Sequence, residues 1–272
     1  MNNFRMKFIN LIWRIRLRGV ADKLQFVYRK VKITAKNSAF EKNHPDFKLP
    51  PADLVFDANH NVDWDVYRSS GRELAERLAT IIRGLVPPPK AAILEWGCGP
   101  GRILRHLADC LPEYTQLQLF GADYNKQSVD WCSRNISGIA FAENDLLPPI
   151  ALKDETLDLV YAISVFTHMS ETATYKWLDE VSRLLRHDGY FVFTTHGENF
   201  LHLLTPDQVQ EFVAGNLVVR KGDSEGKKLF SSFHPTRWVE SALAQSGFRC
   251  LSFPSASTSA FHQDLWIVQK FH

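Results

Sequence analysis

Short apolar runs alternate, over most of the chain, with segments whose apolar residues recur every three or four positions. The runs are Ala91–Leu94, Leu117–Phe120, Ile139–Ala142, Thr156–Phe166 and Tyr190–Thr195. Runs of this kind are expected of strands buried on both faces of a parallel sheet. Helical spacing appears between them. Leu74, Leu78, Ile81 and Ile82 share one face of a segment opening near Tyr67 and stopped by Pro87-Pro88-Pro89. Trp177, Leu178, Val181, Leu184 and Leu185 mark another, which follows Thr167-His168 and ends before Gly189. Strand and helix alternate throughout, which predicts an α/β fold with helices on both faces of one sheet.

Past Thr195 the regularity lapses. Thr205 caps a short helix with Pro206 at its first position. Leu217–Arg220 and Lys228–Phe230 flank Asp223-Ser-Glu-Gly226 and read as a hairpin. Trp238, Leu243 and Ala244 mark a further helix closed by Gly247, followed by strands over Phe248–Phe253 and Asp264–Gln269. Upstream of the alternating region, residues 4–33 are basic and amphipathic. Phe4, Phe8, Leu11 and Ile15 form one stripe, with Trp13 beside it, and Val20, Leu24, Val27 and Val31 repeat its steps. At about 100° per residue the second stripe is turned about 160° from the first, which predicts a break near Gly19. Residues 37–60, with Asn43-His-Pro-Asp and Pro50-Pro51, read as an irregular linker.

The chain is organised around Ala91-Ala-Ile-Leu-Glu-Trp-Gly-Cys-Gly-Pro-Gly-Arg-Ile-Leu-Arg-His-Leu107. It reads as strand, glycine loop, helix, with Ile103, Leu104 and Leu107 on the helix. Glycines here let the backbone turn sharply and let a ligand approach main-chain N–H groups. Their positions, 97, 99 and 101, do not make the Gly-x-Gly-x-x-Gly of a dinucleotide loop. Glu95, two positions before the first glycine, also suits a positively charged ligand better than a pyrophosphate. A glycine turn with no ligand is the plain alternative. Asp123 ends the next strand, where a carboxylate can accept hydrogen bonds from vicinal ribose hydroxyls. It could equally cap the helix that follows.

The pattern Glu95-Trp-Gly-Cys-Gly-Pro-Gly101 resembles the first motif of class I S-adenosylmethionine-dependent methyltransferases. The resemblance implies a Rossmann-like, mostly parallel sheet of seven strands with an antiparallel last strand; the N-terminal helical arm, expected from its own apolar stripes, lies outside it. The resemblance also implies S-adenosylmethionine as cofactor, S-adenosylhomocysteine as product, and no metal. Gly97, Cys98, Gly99 and Gly101 would wrap the amino-acid part of the cofactor, with Glu95 organising its ammonium end. Asp123 would hold the ribose and Tyr124 offer a flat face to the adenine. The adenine amino group would meet Asp145, or Asn144 in reserve, and Ser164 would lie on the strand running out under the cofactor. Trp64, Tyr67 or Arg68 could cover the cofactor or simply pack. The resemblance spans about residues 70–196 and 235–270. The division expected is an arm and linker over 1–60, and a methyltransferase domain over 61–272 whose insertion 197–234 forms a substrate lid.

Methyl transfer from a sulfonium needs alignment and exclusion of water, and a hydroxyl acceptor also benefits from a base. His196 at the end of the fifth strand is the first candidate, followed by His168 after the fourth; His262 lies in the last loop. The acceptor expected is a small molecule or glycan, through a hydroxyl. A nicotinamide-dependent oxidoreductase and a non-catalytic scaffold remain as alternatives. The Asn/Asp-Pro-Pro-Tyr/Phe tetrapeptide of base-amino methyltransferases is absent, which argues against nucleobase methylation.

The composition, 45% hydrophobic and 23% charged, is ordinary for a globular chain. Charge is unevenly spread beneath a net +2. Residues 1–36 hold ten Lys/Arg against Asp22, a net +9, while the remainder has 22 basic against 29 acidic residues, a net −7. A negatively charged body is not built to grip nucleic acid. The basic arm suits an anionic bilayer surface, its own body or a twin subunit, through residues 4–33. Cys98, Cys110, Cys132 and Cys250 show no metal-ligand spacing and read as reduced cysteines. No apolar run reaches the ~18 residues needed to span a bilayer, and Arg and Lys interrupt the N-terminal apolar residues. A cytoplasmic location is expected, with membrane association through the arm left open.

Overall fold

The computed structural model describes residues 18–271 except 60, 223, 228, 255–258 and 260, with side chains from Lys23 onward. Contacts divide the chain into two compact units, Met1–Ser69 and Ser70–His272. The first contains α1 (Arg18–Lys32), α2 (Thr34–Asn43), α3 (Ala52–Asn59) and the opening of α4 (Trp64–Leu85). The irregular linker expected over 37–60 is thus largely helical. Phe40, Val55, Trp64 and Tyr67 are buried together with Phe47, Leu49 and Ala52 against them, and that burial orders the segment. Pro50-Pro51 stands just ahead of α3, where a missing N–H costs nothing, and Val55 N–H donates to the Pro51 carbonyl at 3.2 Å. Trp64 Nε1–H donates to Glu41 Oε1 at 3.1 Å, and Trp64 and Tyr67 meet edge to face. The first apolar stripe, Phe4 to Ile15, lies outside the described residues; α1 is helical from Arg18 through Gly19.

The second unit is built on a seven-stranded sheet. Its strands are β1 (Lys90–Trp96), β2 (Gln116–Asp123), β3 (Ile139–Glu143), β4 (Leu157–Ala162), β5 (Leu185–Thr195), β8 (Phe248–Ser252) and β9 (Asp264–Lys270). Their order is β3-β2-β1-β4-β5-β9-β8. β1 to β5 run parallel, and β9 pairs antiparallel with both β5 and β8. The expected antiparallel last strand is present.

Alternation along β1 divides two cores. Ala92, Leu94 and Trp96 enter one, with Trp177, Leu178 and Val181 of α7 (Glu171–Leu184) and Val239 and Leu243 of α9 (Thr236–Gln245). Ala91 and Ile93 enter the other, with Ala75, Leu78 and Ile82 of α4. Trp96 stacks on Trp177 at 4.3 Å between centroids, directly beneath the glycine loop that it precedes.

Two elements differ from the sequence pattern. After the glycine loop the chain forms a 3₁₀ turn (Leu104–His106) and only one α-helical turn, α5 (Leu107–Cys110), before Pro112 ends it. β5 begins at Leu185, ahead of the expected Tyr190, and passes through Asp188 at φ 61°. Between β2 and β3 lies α6 (Lys126–Asn135).

Residues 197–234 gather a small apolar cluster within the second unit. A 3₁₀ helix (Glu198–Leu203) leads to α8 (Pro206–Val213), capped reciprocally by Thr205 and Gln208. The hairpin β6 (Val218–Lys221) and β7 (Phe230–Phe233) follows, antiparallel. Asp223 and Lys228 of its turn lie outside the described residues. Leu204, Phe212, Val218 and Phe233 make the centre of the cluster.

Candidate active site

The site begins where β1 runs out. Gly97, Gly99 and Gly101 all have positive φ, 78°, 50° and 74°. The Gly97 and Cys98 N–H groups donate to the Ala122 carbonyl at 2.8 and 3.1 Å. Gly99 N–H donates to Asp123 Oδ2 at 2.7 Å, and Asn125 N–H to Asp123 Oδ1 at 2.7 Å. The loop is therefore wrapped around the end of β2. A Cβ on Gly97 would stand 2.4 Å from Val165 Cγ2, and one on Gly101 would stand 2.6 Å from Ile136 Cδ1. Burial raises the pKa of Asp123, while its two backbone donors oppose the rise. Two of its four acceptor positions remain for a ligand.

Glu95 is buried and turned into the protein. Its Oε2 accepts from Leu104 N–H and from Tyr161 OH, each at 3.1 Å. Burial pushes its pKa up to about 8, against the lowering effect of the Tyr161 bond, Arg102 and the Leu104 N–H. Near neutral pH this carboxyl holds a proton. It pins the turn after the loop to β4, and so acts on the loop from beneath. Cys98 is buried as well, its thiol raised well above the ordinary range by burial and by neighbouring carboxyls.

At the end of β3, Asn144 is buried and Asp145 is exposed. Asn144 N–H donates to the Asp123 carbonyl at 3.1 Å, and its Nδ2 donates to the Asp145 carbonyl at 2.7 Å. Its Oδ1 is buried with no partner. An acceptor left unpaired inside a protein is costly, so a donor from a ligand would be well received there. Of the two residues expected near the adenine, Asn144 is thus the one turned inward and Asp145 the one on the surface.

Tyr124 is 45% exposed, and its OH donates to the Gly226 carbonyl at 3.0 Å. Gly226 N–H donates to the His168 carbonyl at 2.9 Å, and Ser170 N–H to Glu225 Oε1 at 2.5 Å. Ser232 Oγ–H donates to the Met169 carbonyl. The β6–β7 hairpin is thus fastened to the segments that follow β2 and β4.

His168, in the 3₁₀ turn Phe166–His168 after β4, and His196, directly after β5, both meet β7, through Phe230 and Phe233. His168 Nδ1 lies 2.7 Å from the Phe230 carbonyl. A carbonyl only accepts, so Nδ1 carries the proton and Nε2 is the basic nitrogen. Burial lowers the His168 pKa against that bond. His196 falls to about 4, through burial first and the nearby His168 second, with the Ser232 backbone opposing. Gln263 orients it. Gln263 Oε1 accepts from Thr194 Oγ1 at 2.5 Å and Ser164 Oγ at 2.9 Å, which turns its Nε2 to His196 Nε2 at 3.2 Å. Ser164 itself sits at φ 61°, its N–H donating to Thr194 Oγ1 at 2.8 Å. His262 is exposed, with its backbone N–H on the Ser259 carbonyl at 3.2 Å.

Sequence reasoning missed Gln263 and His234. His234 is 1% exposed, and burial, with His196 nearby, lowers its pKa to about 3. A lone His before Pro235 and a lone Gln after His262 carry no periodic signal. Among the described residues, no group of three or more His, Cys, Asp or Glu is placed to hold a metal ion.

Residues 93–189 match the family model of a methyltransferase domain. Over 150 residues the chain is 30% identical to a malonyl-[acyl-carrier protein] O-methyltransferase of Paenibacillus sp., covering 53% of each protein. Over 104 residues it is 32% identical to a fatty-acid O-methyltransferase of Mycolicibacterium smegmatis, covering 38% of this chain and 36% of that one. The chain matches about half the length of the first of these relatives. Among solved structures, an amino pentose methyltransferase from Micromonospora echinaspora with S-adenosylmethionine bound superimposes with a TM-score of 0.53. It is 14% identical, covering 75% of this chain and 91% of that one. At that identity the likeness is one of fold.

Proposed function

Starting from a chain that belongs to the class I S-adenosylmethionine-dependent methyltransferases, we propose that it methylates an oxygen of a small-molecule or glycan acceptor, through a hydroxyl. The observation that carries the proposal is His168, a neutral imidazole against the insertion with its proton fixed on Nδ1 by the Phe230 carbonyl.

S-adenosylmethionine is the cofactor of this family, and the residues present fit it. The buried, unpaired Oδ1 of Asn144 suits an adenine amino group. Asp123 keeps acceptor capacity for ribose hydroxyls beyond its two backbone donors. Gly97, Cys98, Gly99 and Gly101 supply a turn without side chains in the way of the amino-acid part. Tyr124 would border the adenine while holding the hairpin by its OH. When bound, the cofactor supplies an electrophilic methyl group on sulfur and leaves as S-adenosylhomocysteine.

The protein's own contribution is alignment, dryness and a place for one proton. The insertion 197–234 serves as the lid that excludes water. His168 Nε2 accepts the acceptor's hydroxyl proton as the new carbon–oxygen bond forms. His196 ranks behind it, because Gln263 already donates to its Nε2. Ser164 and Thr194 act through Gln263.

A second reading is favoured by the names of the two relatives above, both O-methyltransferases of acyl compounds. A carboxylate acceptor is already ionised and needs no base. One assay separates the two: S-adenosylhomocysteine release with hydroxyl acceptors (sugars, phenols) and carboxyl acceptors (fatty acids, malonyl thioesters). Turnover confined to carboxyl acceptors would replace the hydroxyl reading.

A further inference from the structure

The first unit carries an apolar face that nothing among its described residues covers. On α1, Leu24 is 65% exposed, Val27 55%, Tyr28 64% and Val31 71%. At about 100° per residue these four fall within roughly 100° of one another around the helix. The opposite face is the one that packs. Phe26, about 200° from Leu24 by the same count, meets Phe56 of α3 at 5.3 Å between ring centroids. The helix is thus anchored to its unit by one side and presents four large apolar side chains on the other.

The charges around this face choose its occupant. Lys23 and Lys30 fall roughly 100–120° to one side of Leu24, and Lys32 about 80° to the other; all three are exposed. An apolar stripe rimmed by lysines is the layout of a helix lying in a bilayer interface. Its stems reach along the apolar surface and its ammonium groups meet lipid headgroups. A second copy of α1 would bring the same lysine rims together, since a two-fold contact sets identical surfaces against each other. An anionic lipid surface instead neutralises them. The sequence before α1 keeps the same character, with Arg14 and Arg16 among apolar residues. Among the described residues no helix is long and apolar enough to cross a membrane.

We propose that α1 docks the protein on an anionic bilayer surface through Leu24, Val27, Tyr28 and Val31, with Lys23, Lys30 and Lys32 on the headgroups. The proposal does not depend on which acceptor is methylated.

The test uses the full chain and flotation with two vesicle types, phosphatidylcholine alone and phosphatidylcholine with phosphatidylglycerol. Binding should require the anionic lipid and weaken with added salt. Val27→Asp with Val31→Asp should abolish it. The triple change Lys23→Gln, Lys30→Gln and Lys32→Gln should weaken it by about tenfold or more at low salt. These side chains are exposed, so circular dichroism and calorimetric binding of S-adenosylmethionine should match the parent chain, which separates loss of docking from loss of fold or cofactor site. Equal binding to both vesicle types would overturn the proposal, as would undiminished binding of the Val27/Val31 variant. A dimer seen by light scattering and lost in that variant, with no flotation of the parent chain, would assign the face to a second copy and also overturn it.

Discussion

Gly99 donates its backbone N–H to the Asp123 carboxylate at 2.7 Å, so the glycine loop and the residue expected to hold the ribose form one piece. Asp123→Ala would then do two things. It would remove the carboxylate and release the loop that the carboxylate holds. S-adenosylmethionine affinity should fall by ~1.5–3 kcal/mol, tenfold or more, on the scale of hydrogen bonds to a charged acceptor. Calorimetry reads the affinity, and a thermal melt of the free protein reads the loop. A lowered melting temperature with unchanged affinity would confine Asp123 to structure.

Gly97 shows the same loop from its other side. Its φ of 78° disfavours any Cβ, and a Cβ there would lie 2.4 Å from Val165 Cγ2. Gly97→Ala should cost about 1–3 kcal/mol of stability. Val165→Ala in the same chain should recover part of that, because it removes the clash but not the backbone strain. Additive losses in the double variant would mean that the two residues do not meet.

The places of the strands along the chain were legible because each buried strand is a short apolar run with glycine, proline or acid at its ends. Trp96-Gly97 and Asp123-Tyr124 mark such ends. The glycine loop and Asp123 followed from the same punctuation. Which of Asn144 and Asp145 turns inward was not legible, because it depends on where β3 stops pairing, and a slip of one residue reverses the faces. Asn144 N–H continues the ladder to the Asp123 carbonyl, which turns its side chain in. The helices over Thr34–Asn43 and Ala52–Asn59 were hidden for another reason. α2 buries Phe40 alone, too little for a stripe, and its order comes from packing. Gln263 was invisible because its contacts, Ser164, Thr194 and His196, come from remote parts of the chain.

Glu95 should make itself felt through pH. Its folded pKa is raised to about 8 from 4.5 by burial. Between those values the unfolded chain releases the proton and the folded chain keeps it. The folded state therefore binds more protons, and stability falls as pH rises through this window, by at most about 1.4 kcal/mol per pH unit. Glu95→Gln resembles the protonated form and can still accept from Leu104 N–H and Tyr161 OH. Its stability relative to the parent chain should climb from pH 5 to pH 8, read by urea unfolding at each pH. A flat difference would mean that Glu95 is ionised throughout.

Two histidines close together can be told apart by what each side chain already holds. His168 has its Nδ1 proton on the Phe230 carbonyl and its Nε2 available for an acceptor's proton. His196 accepts from Gln263 at Nε2, and its pKa lies near 4. With a hydroxyl acceptor, His168→Gln should lower kcat by ~10²-fold or more, at unchanged cofactor affinity. His196→Gln should cost less. Because burial depresses both pKa values, both rings are neutral at pH 7 and the base form persists below pH 6.5. The rate should therefore begin to decline at a lower pH than an ordinary histidine would give, as His168 takes up its proton. Stability carries the same sign for His196. The unfolded chain binds its proton below about 6.5 and the folded chain only near 4, so that part of the stability is lost as pH falls between them. Should both variants keep full turnover with every acceptor that is methylated, no base is used, and the carboxylate reading gains.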